Sequence, residues 1–247
     1  MSSSTYSADL SYIHNAGFGN FSEQAGKHIL SILKRKNIHH CHVTDLGCGS
    51  GIWAGLLTKN GYTVTGIDLS SAMIGIAKKR APNAAFVTGS FYSAPLPQSK
   101  VITSLGECFN YLFDDSLKNK NALQRLFQRC FIALEPGGLF IFDLLVWKKH
   151  LYVPYKNFTQ GKDWIVLVEV SVDAKSRTLT RTITSFRKKK SGYRRMDEIH
   201  HAQLYDASRI LQWLRQAGFS AVVQSSYGKL KLRPGHVSFI ARKGGVA

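Results

Sequence analysis

The stretch that most constrains this chain is residues 42–51, HVTDLGCGSG, in which a short apolar run meets a glycine-rich turn. The next residues, 52–57, have the composition of a helix start, so the pattern predicts a strand, a tight turn and a helix. Glycines at 47, 49 and 51 let the backbone bend sharply and leave no Cβ between the main chain and a ligand. Because the first N–H groups of a helix are unpaired, we expect this turn to favour a negative group.

A second apolar strand, residues 62–67, ends at Asp68, 21 residues beyond Gly47. A carboxylate at this place in a βαβ unit is the usual partner of two vicinal ribose hydroxyls. A dinucleotide fingerprint would need a small residue at position 52, which is isoleucine. The glycines instead form G-x-G-x-G after Asp45, which favours a different nucleoside cofactor.

Four stretches in the same order resemble the motifs of the class I S-adenosylmethionine-dependent methyltransferases. They are DLGCGSG (45–51), GIDLSSAMI (66–74), ITSLGECFNYL (102–112) and LEPGGLFIFDL (134–144). The resemblance covers residues 10–146 well and the remainder in outline. It implies S-adenosyl-L-methionine as the cofactor and an α/β, doubly wound, seven-stranded Rossmann-like sheet. The acceptor of the methyl group stays open.

The resemblance also implies where the cofactor would lie. Ser90 stands where the family often has an acidic residue on the adenine amine, so this contact would be weaker here. Leu105 and Gly106 match positions whose backbone meets the methionyl group. The expected cofactor-binding residues in the body of the domain are Asp45, Gly47, Cys48, Gly49, Gly51, Asp68, Leu69, Met73, Gly89, Ser90, Phe91, Leu105 and Gly106.

Two segments flank this core. In similar methyltransferases the leading segment, here residues 1–20, folds over the cofactor as a lid, which makes Tyr12, His14 and Phe18 candidates for covering it. A packed N-terminal arm is an equal alternative. Alternating apolar residues within 147–203 predict an antiparallel, substrate-covering insertion after strand five, so we expect one methyltransferase domain over 1–247.

The methyl group of the implied cofactor is already electrophilic, so the protein has to position a nucleophile and exclude water. Glu107, Tyr111 and His200 are candidate bases or orienting groups, although a helix cap or a packed core residue would explain them as well. The histidines and cysteines lack the spacing of metal ligands, and Glu107 is the only acidic residue at the end of strand four. We therefore predict metal-free, in-line transfer to N or O of a small molecule.

The excess of basic residues in the C-terminal part is compatible with a second function. The chain has a net charge of +18, and residues 147–247 hold 20 basic and 6 acidic side chains, a net +14. This excess allows an anionic acceptor, and equally an RNA or DNA methyltransferase that holds nucleic acid with its basic half. Strand four lacks the N-P-P-[YF] tetrad that grips a flipped base, so we predict only weak, non-specific nucleic-acid binding.

A non-catalytic protein that keeps the fold is the third alternative, and the intact glycine turn with Asp68 argues against it. The N-terminal residues are polar and no apolar run approaches the ~18 residues of a membrane span. Four scattered cysteines fit reduced thiols. We predict a cytoplasmic protein that makes no membrane contact; the sequence is silent on its oligomeric state.

Overall fold

A seven-stranded sheet runs through the centre of the protein and a four-stranded sheet lies beside it. The computed structural model describes residues 6–118 and 121–245. Its α-helices are Ala8–Gly17 (α1), Asn20–Arg35 (α2), Ile52–Lys59 (α3), Ser71–Arg80 (α4), Ala122–Ala133 (α5) and Ala207–Gln216 (α6). Its strands are His42–Leu46 (β1), Thr63–Asp68 (β2), Ala85–Thr88 (β3), Ser99–Ser104 (β4), Leu134–Leu145 (β5), Tyr155–Gln160 (β6), Trp164–Asp173 (β7), Thr178–Lys189 (β8), Gly192–Gln203 (β9), Ser220–Gln224 (β10), Ser226–Tyr227 (β11), Leu230–Lys231 (β12) and His236–Arg242 (β13).

The large sheet has the order β10-β13-β5-β4-β1-β2-β3. Strand β1 pairs in parallel with β2 and β4, and β5 continues the parallel set beside β4. Strand β13 is antiparallel to both of its neighbours, β5 and β10. The strand order reverses beside β1, which is the switch point where ligands bind in open α/β sheets. The predicted doubly wound, seven-stranded sheet is confirmed.

Helices cover both faces of this sheet and bury two apolar cores. One core holds α5 and α6 against β5 and β13, and the other holds α2 and α3 against β1 and β4. Residues 139–145 form a nearly continuous apolar run because both faces of β5 are buried. No helix within residues 6–118 and 121–245 is both long and apolar enough to cross a bilayer.

The four-stranded sheet, in the order β6-β7-β8-β9, follows β5 as the sequence predicted. Strand β6 was not predicted, because YKNFTQ is an exposed edge strand without an alternating apolar face. On the inner face, Trp164, Val166 and Ile183 pack against Leu10 and Ile13 of α1. The sheet and α1 therefore form one packed unit over the edge of the large sheet.

A peptide of residues 147–203 is expected to remain unfolded on its own, because a small sheet is marginal without a packing partner. The peptide lacks α1, so the apolar side chains that pack against that helix, those of Trp164, Val166 and Ile183, would be exposed to water. Circular dichroism and hydrogen exchange of the isolated peptide test this expectation, with the full chain as control. A cooperative unfolding transition of the peptide would instead make the segment an independent domain.

Candidate active site

A cavity of about 680 Å³ opens where β1, β2 and β4 end, at the carboxyl edge of the large sheet. Both the lid segment and the turn after β4 contribute to its wall, together with the loop that precedes β13. Most residues predicted for the site line this cavity: His14, Phe18, Asp45, Gly47, Cys48, Gly49, Asp68, Leu69, Met73, Ser90, Phe91, Leu105, Gly106, Glu107 and Tyr111.

The glycine turn and the end of β2 are tied together by Asp68. One oxygen of its carboxylate accepts the N–H of Gly49 and the other accepts the N–H of Ser70, each at 2.8 Å. Gly47 has φ +72°, and a Cβ there would lie 2.6 Å from the sulfur of Cys108. The turn therefore requires glycine at 47, and it holds the Asp68 carboxylate at the cavity wall.

Asp45 lies beneath the turn with its side chain 2% exposed, and it accepts the hydroxyl of Thr103 at 2.9 Å. The indole N–H of Trp53 donates to the same hydroxyl at 3.0 Å. Burial raises the pKa of Asp45 to about 7, although the bond from Thr103 lowers it, and the nearby Asp68 charge adds to the rise. Near neutral pH this carboxyl is therefore poised between its two protonation states.

Binding of a cationic ligand beside Asp45 is expected to strengthen as the pH rises through about 7. Below that pH the carboxyl is protonated, and a cation that prefers the carboxylate must displace its proton. The apparent affinity should then rise about tenfold per pH unit and level off above neutrality. Calorimetry with S-adenosylhomocysteine, which carries an ammonium group, between pH 5.5 and 8.5 measures the slope. The Asp45→Asn variant should remove it, and a flat wild-type profile would contradict the expectation.

The turn after β4 is held in an unusual backbone conformation by Asp143. Gly106 has φ +88° and Glu107 has φ +56°, in the left-handed region that is rare for a residue with a side chain. The buried Asp143 carboxylate accepts the N–H of Gly106 at 3.0 Å, that of Glu107 at 2.7 Å and the hydroxyl of Tyr227 at 2.9 Å. The two N–H donors thus fix the turn, Tyr227 holds the carboxylate in place, and the strained Glu107 presents its side chain to the cavity.

Glu107 stands at the centre of a charged network. Its Oε1 lies 2.7 Å from the guanidinium of Arg181 and accepts the hydroxyl of Tyr111 at 3.2 Å, and its Oε2 lies 3.3 Å from Nε2 of His236. Burial pushes the pKa of Glu107 upward, but Arg181, His236 and Tyr111 outweigh it and hold the pKa below its ordinary value. The carboxylate is therefore ionised at neutral pH.

The lid segment forms α1, which brings His14 and Phe18 to the cavity. The buried Nδ1 of His14 has no hydrogen-bond partner among the described residues, and burial lowers the pKa of this histidine. At the other side of α1, Asp9 is 2% exposed and contacts Arg187 at 3.0 Å, Lys189 at 3.2 Å and Arg194. The basic tip of β8 and β9 therefore anchors the lid.

Four predicted residues do not line the cavity. Tyr12 faces β7 and β8, where its hydroxyl donates to Asp163 and Arg187 stacks on its ring, because α1 turns that face toward the insertion. Gly51 packs against Ala77 of α4, where a Cβ would lie 2.9 Å from its neighbour.

The other two are Gly89 and His200. Gly89 donates its N–H to the carbonyl of Asp68 and so places the following turn. His200 is buried on β9, bonds Glu198 at 3.0 Å and packs against the rings of Tyr6 and Phe113. These two rings line the cavity, so His200 supports its wall rather than reaching a ligand.

Several cavity and supporting residues were not predicted. Asp143 was visible as an acidic residue in an otherwise apolar strand, which is a signal of a buried polar role. Arg181, His236, Tyr6 and Phe113 carry no local signal, because they come from β8, β13, the lid and the turn after β4. Within the described residues no group of three or more His, Cys, Asp or Glu side chains could hold a metal ion.

The amino-acid sequence is similar to those of known methyltransferases. Residues 43–138 match the sequence model of a methyltransferase domain family. A Geobacillus protein named as a methyltransferase is 29% identical over 189 residues, 73% of this chain and 74% of the relative. The trans-aconitate 2-methyltransferase of Paracidovorax citrulli is 40% identical over 102 residues, 40% of this chain and 36% of that enzyme.

Solved structures share the fold over nearly the whole chain. An S-adenosylmethionine-dependent methyltransferase from Clostridium acetobutylicum superposes with a TM-score of 0.78 at 18% identity, covering 96% of this chain and 98% of the other. An amino pentose methyltransferase from Micromonospora echinaspora gives 0.73 at 14% identity, covering 97% and 98%. The sheet order and the site define an enzyme of the methyltransferase class. The matched methyltransferase domain and this shared fold support S-adenosylmethionine-dependent methyl transfer, with S-adenosyl-L-methionine as the cofactor.

Proposed function

We propose that this enzyme transfers the methyl group to N or O of a small-molecule acceptor by metal-free, in-line transfer. The observation that carries the proposal is the aromatic part of the cavity wall. There the rings of Tyr6, Tyr111 and Phe113 close on one another beneath the insertion, with Tyr111 and Phe113 stacked at 4.8 Å. The volume of about 680 Å³ lies within the usual range for small-molecule sites.

The cavity residues around Asp68 fit S-adenosyl-L-methionine, the cofactor that the family resemblance implies. The Asp68 carboxylate would accept the ribose hydroxyls, while Leu69, Met73, Ser90 and Phe91 would surround the adenine. When bound, S-adenosyl-L-methionine supplies an electrophilic methyl group. The lid residues His14 and Phe18 would exclude water from it.

Glu107 and Tyr111 would orient the acceptor. Glu107 lines the cavity, where its carboxylate, held by Arg181, Tyr111 and His236, would accept an N–H or O–H of the acceptor. Because its pKa is held low, Glu107 positions this group more effectively than it removes a proton. A neutral amine needs no strong base, and the proposal therefore includes both N and O acceptors.

Two similar proteins act on small acceptors according to their names, one on trans-aconitate and one on an amino pentose. Their chemistries differ, so they support the size class of the acceptor rather than its identity. The four cysteines of this chain are free thiols in the structure, which fits the cytoplasm that we propose as its location.

Methyl label is expected to enter a low-molecular-weight acceptor and not nucleic acid. Arg187, Lys189 and Arg194 of the basic half contact Asp9, and any remaining nucleic-acid binding should be lost near physiological salt. The measurement is tritiated-methyl transfer into total RNA, DNA and a small-molecule extract at low and physiological salt. Label at a single nucleic-acid position at physiological salt would instead establish an RNA or DNA methyltransferase.

A further inference from the structure

The loop between β10 and β13 brings two cations to the cavity. Strand β13 is antiparallel to β5, and its first residue, His236, pairs with Leu145 at the end of β5. The loop of residues 225–235 therefore lies at the same edge of the sheet as the glycine turn, beyond β4 and away from Asp68. Lys231 and Arg233 of this loop both line the cavity.

The backbone of the loop is held in place. The N–H of Leu232 donates to the carbonyl of Ser225 at 2.9 Å, and the N–H of Val146 donates to the carbonyl of Gly235 at 2.8 Å. Leu230 and Leu232 pack against the core under α2. Lys231 and Arg233 are exposed on the same short stretch of backbone and line the cavity beside these two leucines. The two cations are thus presented together by an anchored backbone.

Lys231 and Arg233 have no carboxylate partner among the described residues. In the part of the chain that the structure describes, Lys231 and Arg233 form no ion pair and no side-chain hydrogen bond, whereas Arg181 and His236 both lie on Glu107. Asp114, which also lines the cavity, accepts the N–H of Ser116 in its own loop. The cavity is therefore acidic at its cofactor side, with Asp45 and Asp68, and has unpaired positive charge at the other.

We propose that Lys231 and Arg233 form an anion subsite that binds a carboxylate or phosphate group of the methyl acceptor. The inference rests on the proposed function and deepens it by naming the acceptor as an anion. A bidentate guanidinium and an ammonium are a suitable pair for such oxygens. The subsite lies on the acceptor side of Glu107, so the anion would anchor the acceptor at one end while Glu107 orients its reacting end.

Citrate and inorganic pyrophosphate serve as probes, titrated calorimetrically into the full-length protein saturated with S-adenosylhomocysteine. We expect Lys231→Ala and Arg233→Ala each to weaken the better probe about tenfold, which corresponds to about 1.4 kcal/mol. The double variant should lose detectable binding, while Lys231→Arg retains most of it. The preference between the probes distinguishes a carboxylate acceptor from a phosphorylated one. Lys229→Ala is the matched control, since Lys229 is exposed on the same loop and does not line the cavity.

Four results would overturn the subsite. The first is a wild type that binds neither probe. The second is a Lys229→Ala variant that binds the probes as weakly as Lys231→Ala and Arg233→Ala, which would show only a general positive field. Equal weakening of S-adenosylhomocysteine by Lys231→Ala and Arg233→Ala would assign the cations to its methionyl carboxylate instead. Binding of S-adenosylhomocysteine with label transfer to a neutral small molecule would leave the proposed function standing while the anion subsite fails.

Discussion

Replacing Arg181 by alanine is expected to lower the free energy of unfolding by about 3–5 kcal/mol, because it leaves Glu107 as an unpaired buried charge. For a chain of this size such a loss lowers the melting temperature by roughly 6–20 °C. The control is Arg177→Ala, whose ion pair with Asp206 is largely exposed and should contribute no more than about 1 kcal/mol. Thermal and denaturant unfolding measure both, and equal losses would contradict the buried-charge explanation.

A double variant separates stability from activity. Arg181→Met with Glu107→Gln removes both charges, so most of the lost stability should return, while the acceptor loses its orienting carboxylate. Methyl transfer should therefore stay low in a protein that folds well. Recovery of both properties would show that Glu107 does not contact the acceptor.

The wild type and the Arg181→Ala variant should also differ in the pH dependence of the free energy of unfolding. In the wild type the pKa of Glu107 is held low, so its contribution is present above the unfolded pKa and is lost as the pH falls. Without Arg181 the remaining burial raises that pKa, so stability should instead fall as the pH rises through it. Opposite slopes in the weakly acidic range are the expected result.

Asp68→Ala is expected to weaken binding of S-adenosyl-L-methionine and S-adenosylhomocysteine by about 1.5–3 kcal/mol, the range of a hydrogen bond to a charged group. The structure adds a second loss, because the N–H groups of Gly49 and Ser70 both donate to this carboxylate. Titration calorimetry gives the affinity, and unfolding of the unliganded protein gives the cost of the freed N–H groups.

Asp68→Asn is the matched variant, because its side chain keeps one acceptor oxygen and the same shape. It should retain more of the fold than alanine and still bind the cofactor weakly. Wild-type affinity in both variants would contradict a ribose contact at Asp68, as would tighter binding of a nicotinamide dinucleotide.

The sequence was most informative where the structure is local. The glycine turn, α3 and the end of β2 lie within a single βαβ unit, so their spacing was enough to predict a nucleoside cofactor and the parallel sheet. The antiparallel insertion was also visible, since β7, β8 and β9 alternate in polarity. Strand β6 was missed because its side chains are mostly exposed and leave no such pattern.

The acceptor side could not be predicted in the same way. Glu107, Arg181 and His236 come from the turn after β4, the insertion and the last strand, and no spacing relates them. Likewise, Asp9 and the tip of β8 and β9 look like separate surface charges in the sequence, although they form one cluster around the buried Asp9 carboxylate. His200 was a candidate catalytic residue because of its residue type. In the structure it lies behind the cavity wall, where it bonds Glu198.

By itself, then, the sequence indicated the class of cofactor and the doubly wound sheet, because the glycine turn, Asp68 and the four motifs that resemble a known family each lie in neighbouring residues. Only the tertiary structure decided which charges are paired and which remain free at the cavity. That outcome depends on burial and on distances of a few ångströms between elements remote in the chain, and it is what distinguishes Arg181, held by Glu107, from Lys231 and Arg233.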